Sequence, residues 1–337
     1  MMNSPEAVPV TPERIMQFAW GYAPPLILEA AIRHRVFDVL DGGAKTLQEV
    51  QKETGASERG LRAIMNALVG LGLLAKDASG SYSLTPESAA FLVSTKPGFQ
   101  GGMIRHGSED LIPKWLNLNE VVATGKPAAA VNDEKTGGEF FQNFVVDIFP
   151  LSYPSAKVLA QHLDLQGDAK ALDLAAGSGV WGIALAQATG AVRVTAVDWP
   201  EVIPVTRKMV EKFGLADRFA YVEGDLLNAD FGSGYAVATL GHILHSEGKE
   251  RSRALLARTF DALASGGTIA IAEFLVNGDR TGPAGGLFFA VNMLVNTDSG
   301  DTFSFEEISE WLLEAGFKDA RLLNAPGPSP LILATKP

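Results

Sequence analysis

Apolar positions along the chain change their period near residue 169. Before it they recur mostly at helical spacing. Over 13–40 the set Ile15, Phe18, Ala19, Leu26, Ile27, Ala30 and Ala31 predicts helix, broken or kinked at Pro24-Pro25. After the turn Asp41-Gly42-Gly43, TLQEVQKETG predicts a short helix with Thr46 and Glu49 as a capping box and Gly55 as the stop. Ser57 caps the next helix, which carries Leu61, Ile64, Met65 and Leu68. AKDASGSYSLTP predicts a β-hairpin turning near Ser79-Gly80. Helix, helix, hairpin is the order of a winged helix. Residues 95–140 are punctuated by Gly and Pro, and GKPAAAVNDEKTGG predicts an exposed loop. Residues 139–165 return to helix and hold Phe140, Phe141, Phe144, Phe149 and Tyr153.

From Ala169 short apolar runs alternate with helices: AKALDLA, VRVTAVD, FAYVEGD, YAVATLGHILH and GTIAIAEFLV, with helices around 181–189, 201–213 and 249–264. A helix at 304–315 is followed by ARLLNA and PLILATK, close enough to pair. Strands alternating with helices predict βαβ units. The expected fold class is α/β, a Rossmann-like domain with a mostly parallel seven-stranded sheet. Three segments are expected: a winged-helix-like domain over 1–100, connecting helices that line an acceptor pocket over 101–165, and the sheet domain over 166–337.

A length of 337 residues agrees with about two domains. The net charge of −11 argues against nucleic acid as a partner, and the second helix of the wing-like segment has only Arg59 and Arg62 as bases. The absence of cysteine excludes disulfides, thiolate zinc sites, iron–sulfur clusters and a Cys nucleophile. No apolar run reaches the roughly 18 residues of a membrane span. No basic n-region or apolar h-region opens the chain, so a cytoplasmic protein with no membrane partner is expected.

The densest chemistry lies in ALDLAAGSGVWG, residues 171–182, which predicts strand, tight turn, helix. Small residues there let backbone approach a ligand. Asp198 ends the next strand, and Asp225 the one after. Gly177-x-Gly179-x-x-Gly182 formally matches the dinucleotide fingerprint, with Asp198 suitably placed for NAD. Read as acid, then small-x-Gly-x-Gly, Asp173, Ala175, Gly177 and Gly179 instead fit S-adenosylmethionine (SAM). Asp198 then accepts from the ribose hydroxyls and Asp225 from the adenine amino group, and Trp199 or Leu226 packs on the ring. Three acids at successive strand ends favour SAM over NAD. Ordinary βα turns also carry Gly and Asp.

These segments together resemble the two-domain SAM-dependent O-methyltransferases, a group that includes plant caffeate/flavonoid enzymes and bacterial natural-product enzymes. RAIMNALVGLGLL and YSLTP resemble the family's dimerisation domain, so a homodimer is implied. AVDWPEVI and YVEGDLL resemble its strand-end acids, and HILH, AEF, NML and SFEEISEWLLEAGF follow in the family's order. The resemblance implies that His245 is the general base and that Glu273 orients it. It puts Met293 and Thr302 on the acceptor pocket, with Phe149 and Tyr153 chosen from the aromatic set. The implied reaction is methyl transfer from SAM to a hydroxyl of a small aromatic or polyketide-like molecule.

Ser246 stands where the family usually has Asp, and Gly241 where the plant enzymes have Lys. Thr302 replaces a second catalytic Glu, and GDTFSF resembles a bacterial branch that lacks it. Those replacements motivate an alternative: SAM bound, but a non-methylating reaction such as cyclisation. His242, three residues before His245, is read as a cofactor-lining residue. With Glu273 the two histidines could make a metal set, but positions three apart on a strand face opposite ways, so no metal is expected.

Overall fold

The computed structural model describes residues 10–131, 134–327 and 329–337. The chain forms two compact units that divide between Glu109 and Asp110. In the first unit, the helical stretch predicted over 13–40 is three helices: Glu13–Ala19, Ala23–Arg33 and Val36–Leu40. Pro24 and Pro25 open the second of these, where a missing N–H costs nothing. Thr46 and Glu49 form the expected capping box, Gly55 ends that helix in the left-handed region, and Ser57 caps Glu58–Gly70. Strands β1 (Leu74–Lys76) and β2 (Tyr82–Leu84) pair antiparallel as the hairpin. Phe37, Leu40, Val50, Leu61, Met65, Leu68 and Tyr82 close the core of this unit.

The second unit carries seven strands: β3 (Lys170–Leu174), β4 (Arg193–Asp198), β5 (Phe219–Glu223), β6 (Tyr235–Gly241), β7 (Leu263–Ala272), β8 (Lys318–Leu323) and β9 (Leu331–Thr335). Their order is β5-β4-β3-β6-β7-β9-β8, parallel except for β9, which runs antiparallel to both its neighbours. The inner strands β3, β6 and β9 are buried nearly throughout, as a sheet covered on both sides requires, while the edge strands β5 and β8 are more exposed. Leu172, Leu174, Leu240, Ile269 and Ile271 serve one core, and Ala171, Val194, Val237 and Ala270 the other. Strand order reverses direction about β3, so the carboxyl ends of β3, β4 and β6 surround a switch point where open sheets bind ligands.

Two expectations need correction. The strand predicted to run through His245 stops at Gly241; His242 turns into the left-handed region at φ 61°, and Leu244 begins a helix. His245 therefore sits on a helical first turn. The loop predicted through Gly138 gives way to helix Glu134–Asp147, and its earlier part is tied down by hydrogen bonds from Ala128 N to Val295 O and from Val131 N to Asn296 O. Among the described residues, no helix is long and apolar enough to cross a membrane.

Candidate active site

The turn after β3 needs three residues at positive φ: Ala175 (52°), Gly177 (55°) and Gly179 (74°). Glycine takes this conformation without a steric cost; Ala175 takes it with one. Three contacts hold the turn. Thr206 Oγ1 donates to Gly177 O at 2.7 Å, Gly177 N to Asp198 Oδ2 at 2.7 Å, and Ala176 N to Val197 O at 3.1 Å.

Asp173 lies beneath this turn. It is fully buried, with Oδ2 accepting from Gly182 N and Oδ1 from Thr239 Oγ1, both at 2.8 Å. Burial pushes its pKa up to about 7, against the pull of those two bonds. The native state thus keeps a proton that the unfolded chain, titrating at 3.8, has lost. The resulting stabilisation is full below that value and disappears as pH rises through about 7. An asparagine can accept from Gly182 N and donate to Thr239 Oγ1. Urea midpoints of Asp173→Asn should therefore vary less with pH between 3.8 and about 7 than those of the wild type. Parallel pH profiles would show that Asp173 does not titrate in this way.

Asp198, half-buried at the end of β4, also accepts from Trp199 N at 2.8 Å. Burial pushes it up to about 6, opposed by its two backbone donors. Each oxygen keeps a further lone pair. Asp225 receives Leu227 N and Asn228 Nδ2 on Oδ1, and Arg251 Nη2 on Oδ2 at 2.6 Å. Leu226 is buried in the core, and Trp199 lies edge-on to Phe141, 5.8 Å between centroids. Two acceptor carboxylates at adjacent strand ends suit the donors of a ribose diol and an exocyclic amine, so these residues fit SAM.

On the other side of β3, Glu273 follows β7 and is fully buried. It accepts from His245 N at 3.1 Å and lies 2.6 Å from His245 Nδ1. Phe274 N donates to it as well. Burial alone would raise the Glu273 pKa, but His245, His242 and the Phe274 N–H together hold it below the usual range. An ionised Glu273 accepts the hydrogen bond of Nδ1–H, which keeps the proton on Nδ1 and leaves Nε2 with the free lone pair. His245 is 8% exposed, edge-on to Phe289 at 4.8 Å and 6.0 Å from Phe274.

Phe274 and Phe289 were not singled out from the sequence. Phe289 could have been found, because it stands one helical turn before Met293 on Ala284–Asn296. Thr302 is buried and its hydroxyl has no partner, while the neighbouring Asp301 N donates to His245 O at 2.9 Å.

His242 is placed between Trp181 (6.4 Å) and Phe274 (5.1 Å), with Nε2 on Ser329 Oγ at 2.6 Å. Burial lowers its pKa to about 4, so it is neutral. Among the described residues, no group of three His, Asp or Glu is arranged to hold a metal ion. Phe149 and Tyr153 pack at the second core, the cluster that also holds Val180 and Trp181. They stack on each other and on Phe213, and Tyr153 OH donates to the exposed Gln187. Val145 reaches the turn, where a Cβ on Gly177 would meet it at 3.1 Å, and Phe141 packs against Trp199.

Comparison with known proteins agrees with this geometry. A family model described as an O-methyltransferase domain matches residues 118–318, and an O-methyltransferase dimerisation domain matches 16–94. The tetracenomycin polyketide synthesis 8-O-methyl transferase TcmO of Streptomyces glaucescens is 30% identical over 335 residues, 97% of each chain. The 3-hydroxy-5-methyl-1-naphthoate 3-O-methyltransferase of Streptomyces sahachiroi is 29% identical, covering 96% of this chain and 95% of that one. PigF of Serratia sp., a SAM-dependent methyl transferase, is 28% identical over 94% of this chain and 93% of its own. A structure of PigF with SAH superposes with a TM-score of 0.86, at 25% identity, covering 97% of this chain and all of that one. The chain belongs to the SAM-dependent O-methyltransferases.

Proposed function

We propose that this O-methyltransferase acts on a hydroxyl of a small aromatic or polyketide-like acceptor, with His245 as general base. The observation that carries this reading is the His245–Glu273 pair, held at 2.6 Å on the same sheet edge as the Ala175–Gly179 turn. Relatives named for a hydroxynaphthoate and a tetracenomycin polyketide support the acceptor class. SAM supplies a methyl group activated by its positive sulfur. Asp198 and Asp225 would hold its ribose and adenine. Glu273 keeps the His245 ring oriented, so that Nε2 receives the acceptor's hydroxyl proton. Phe274, Phe289 and Met293 form an apolar wall suited to a flat ring.

Incubation with SAM and a panel of hydroxylated naphthoates and polycyclic phenols tests the reading. Products should be one methyl group heavier, with the methyl on oxygen. An acceptor returned rearranged but unmethylated would support the non-methylating alternative instead.

The dimerisation domain is assigned a homodimer. Its first two helices leave Ile15, Met16, Phe18, Trp20, Tyr22 and Leu26 exposed, an apolar surface that a second copy would cover. Light scattering should give about twice 35.7 kDa. A monomer at micromolar concentration, or a dimer that survives deletion of residues 1–40, would contradict this.

A further inference from the structure

Trp181 stands in the first turn of helix Val180–Ala188, directly after the Ala175–Gly179 turn. It is 4% exposed, yet its indole N–H makes no hydrogen bond among the described residues. The Nε1 atom itself keeps a little open surface, so a ligand acceptor can reach the N–H.

The position of the N–H is set by Gly241 at the end of β6. A Cβ built there would lie 1.9 Å from Trp181 Nε1 and 2.5 Å from Cδ1. Gly241 does not have positive φ, so its backbone conformation does not require glycine. The indole does: its polar edge fills the space that any side chain at 241 would take.

Topology indicates which part of a ligand meets this edge. Asp198 and Asp225 follow β4 and β5 on one side of β3, and Gly241 ends β6 on the other. The two acids are acceptors, suited to hydroxyls and an amine, and they repel a carboxylate. The methionine end of SAM carries such a carboxylate and needs a donor. The neighbouring His242 has its Nε2 engaged with Ser329.

We infer that the Trp181 indole N–H donates to the carboxylate of the methionine part of SAM, and that Gly241 lacks a side chain so that the indole can reach it. This rests on the placement of the cofactor given above. It adds a positioning residue on the opposite side of β3 from the two acids.

Isothermal calorimetry on the purified protein, without acceptor, tests the assignment with SAM, SAH and 5′-methylthioadenosine. The last keeps adenine, ribose and sulfur but lacks the amino-acid end. Trp181→Phe keeps a ring and removes the donor. It should weaken SAM and SAH roughly tenfold or more, the range for a bond to a charged group, and leave methylthioadenosine within about twofold. Gly241→Ala should displace the indole and give the same pattern, which keeps the test available if Trp181→Phe does not fold.

Unchanged SAM affinity in both variants overturns the assignment. So does an equal loss for methylthioadenosine, which would mean that the indole only supports the turn. Asp198→Ala, measured alongside, should weaken all three ligands. If it weakens none, the cofactor placement fails and the Trp181 assignment with it.

Discussion

Replacing His245 with Ala or Gln should cut turnover by roughly 10²–10⁴-fold, the usual contribution of a general base, while SAM affinity stays close to wild type. The size follows from the local geometry. Glu273 holds the ring through Nδ1 at 2.6 Å and through the His245 backbone N at 3.1 Å, so the imidazole has one orientation. Phe289 and Phe274 pack beside the ring. Glutamine keeps some of the volume but cannot take a proton from a phenol. Glu273→Gln should lower kcat as well, because a neutral amide no longer fixes the Nδ1–H tautomer or stabilises the imidazolium that forms. Single-turnover rates together with calorimetric SAM affinity check this. Near-normal turnover in His245→Gln would remove it from the base role, and an equal loss of SAM binding would make it a cofactor residue.

Replacing Asp198 with Ala should cost about 1.5–3 kcal/mol of SAM binding, tenfold or more in affinity, since the lost bonds go to a charged group. The variant also leaves Gly177 N and Trp199 N without their acceptor, which loosens the turn. The pH dependence separates these two effects. Burial holds the Asp198 pKa at about 6, so wild-type affinity should climb as pH rises through that value, where the carboxylate replaces the acid as acceptor for the diol. In Asp198→Ala that rise should be absent. Calorimetry at several pH values is the measurement. A variant that binds SAM as tightly as wild type, or that keeps the same pH profile, would place the cofactor elsewhere.

Much of the architecture could be read from local pattern alone. The capping boxes, the hairpin, the alternation of strand and helix after residue 169 and the final pair of strands depend on neighbours in the chain. Short-range chemistry decides them: which residues cap, which turn and which alternate. The Gly-rich turn with its acids at 198 and 225 was legible for the same reason, because each acid ends a strand whose period is plain. Phe149 and Tyr153 show the limit of this kind of reading. They share helical spacing with Phe141 and Phe144, and periodicity cannot say which turn of a helix meets the site. Stacking on Phe213 puts them at the second core, while Val145 approaches the turn.

The His245–Glu273 pair belongs to long-range structure. Glu273 and His245 are brought to hydrogen-bonding distance because β6 and β7 are parallel neighbours and both end at the same edge. His245 reaches its place only because β6 stops at Gly241 and His242 bends the chain at positive φ into a helix. The burial of Asp173 beneath its turn, the neutrality of His242 and the unpaired N–H of Trp181 against Gly241 likewise depend on what surrounds each group in space. The order of residues along the chain carries no direct record of those surroundings, because solvation and contact between distant segments exist only once the sheet has formed.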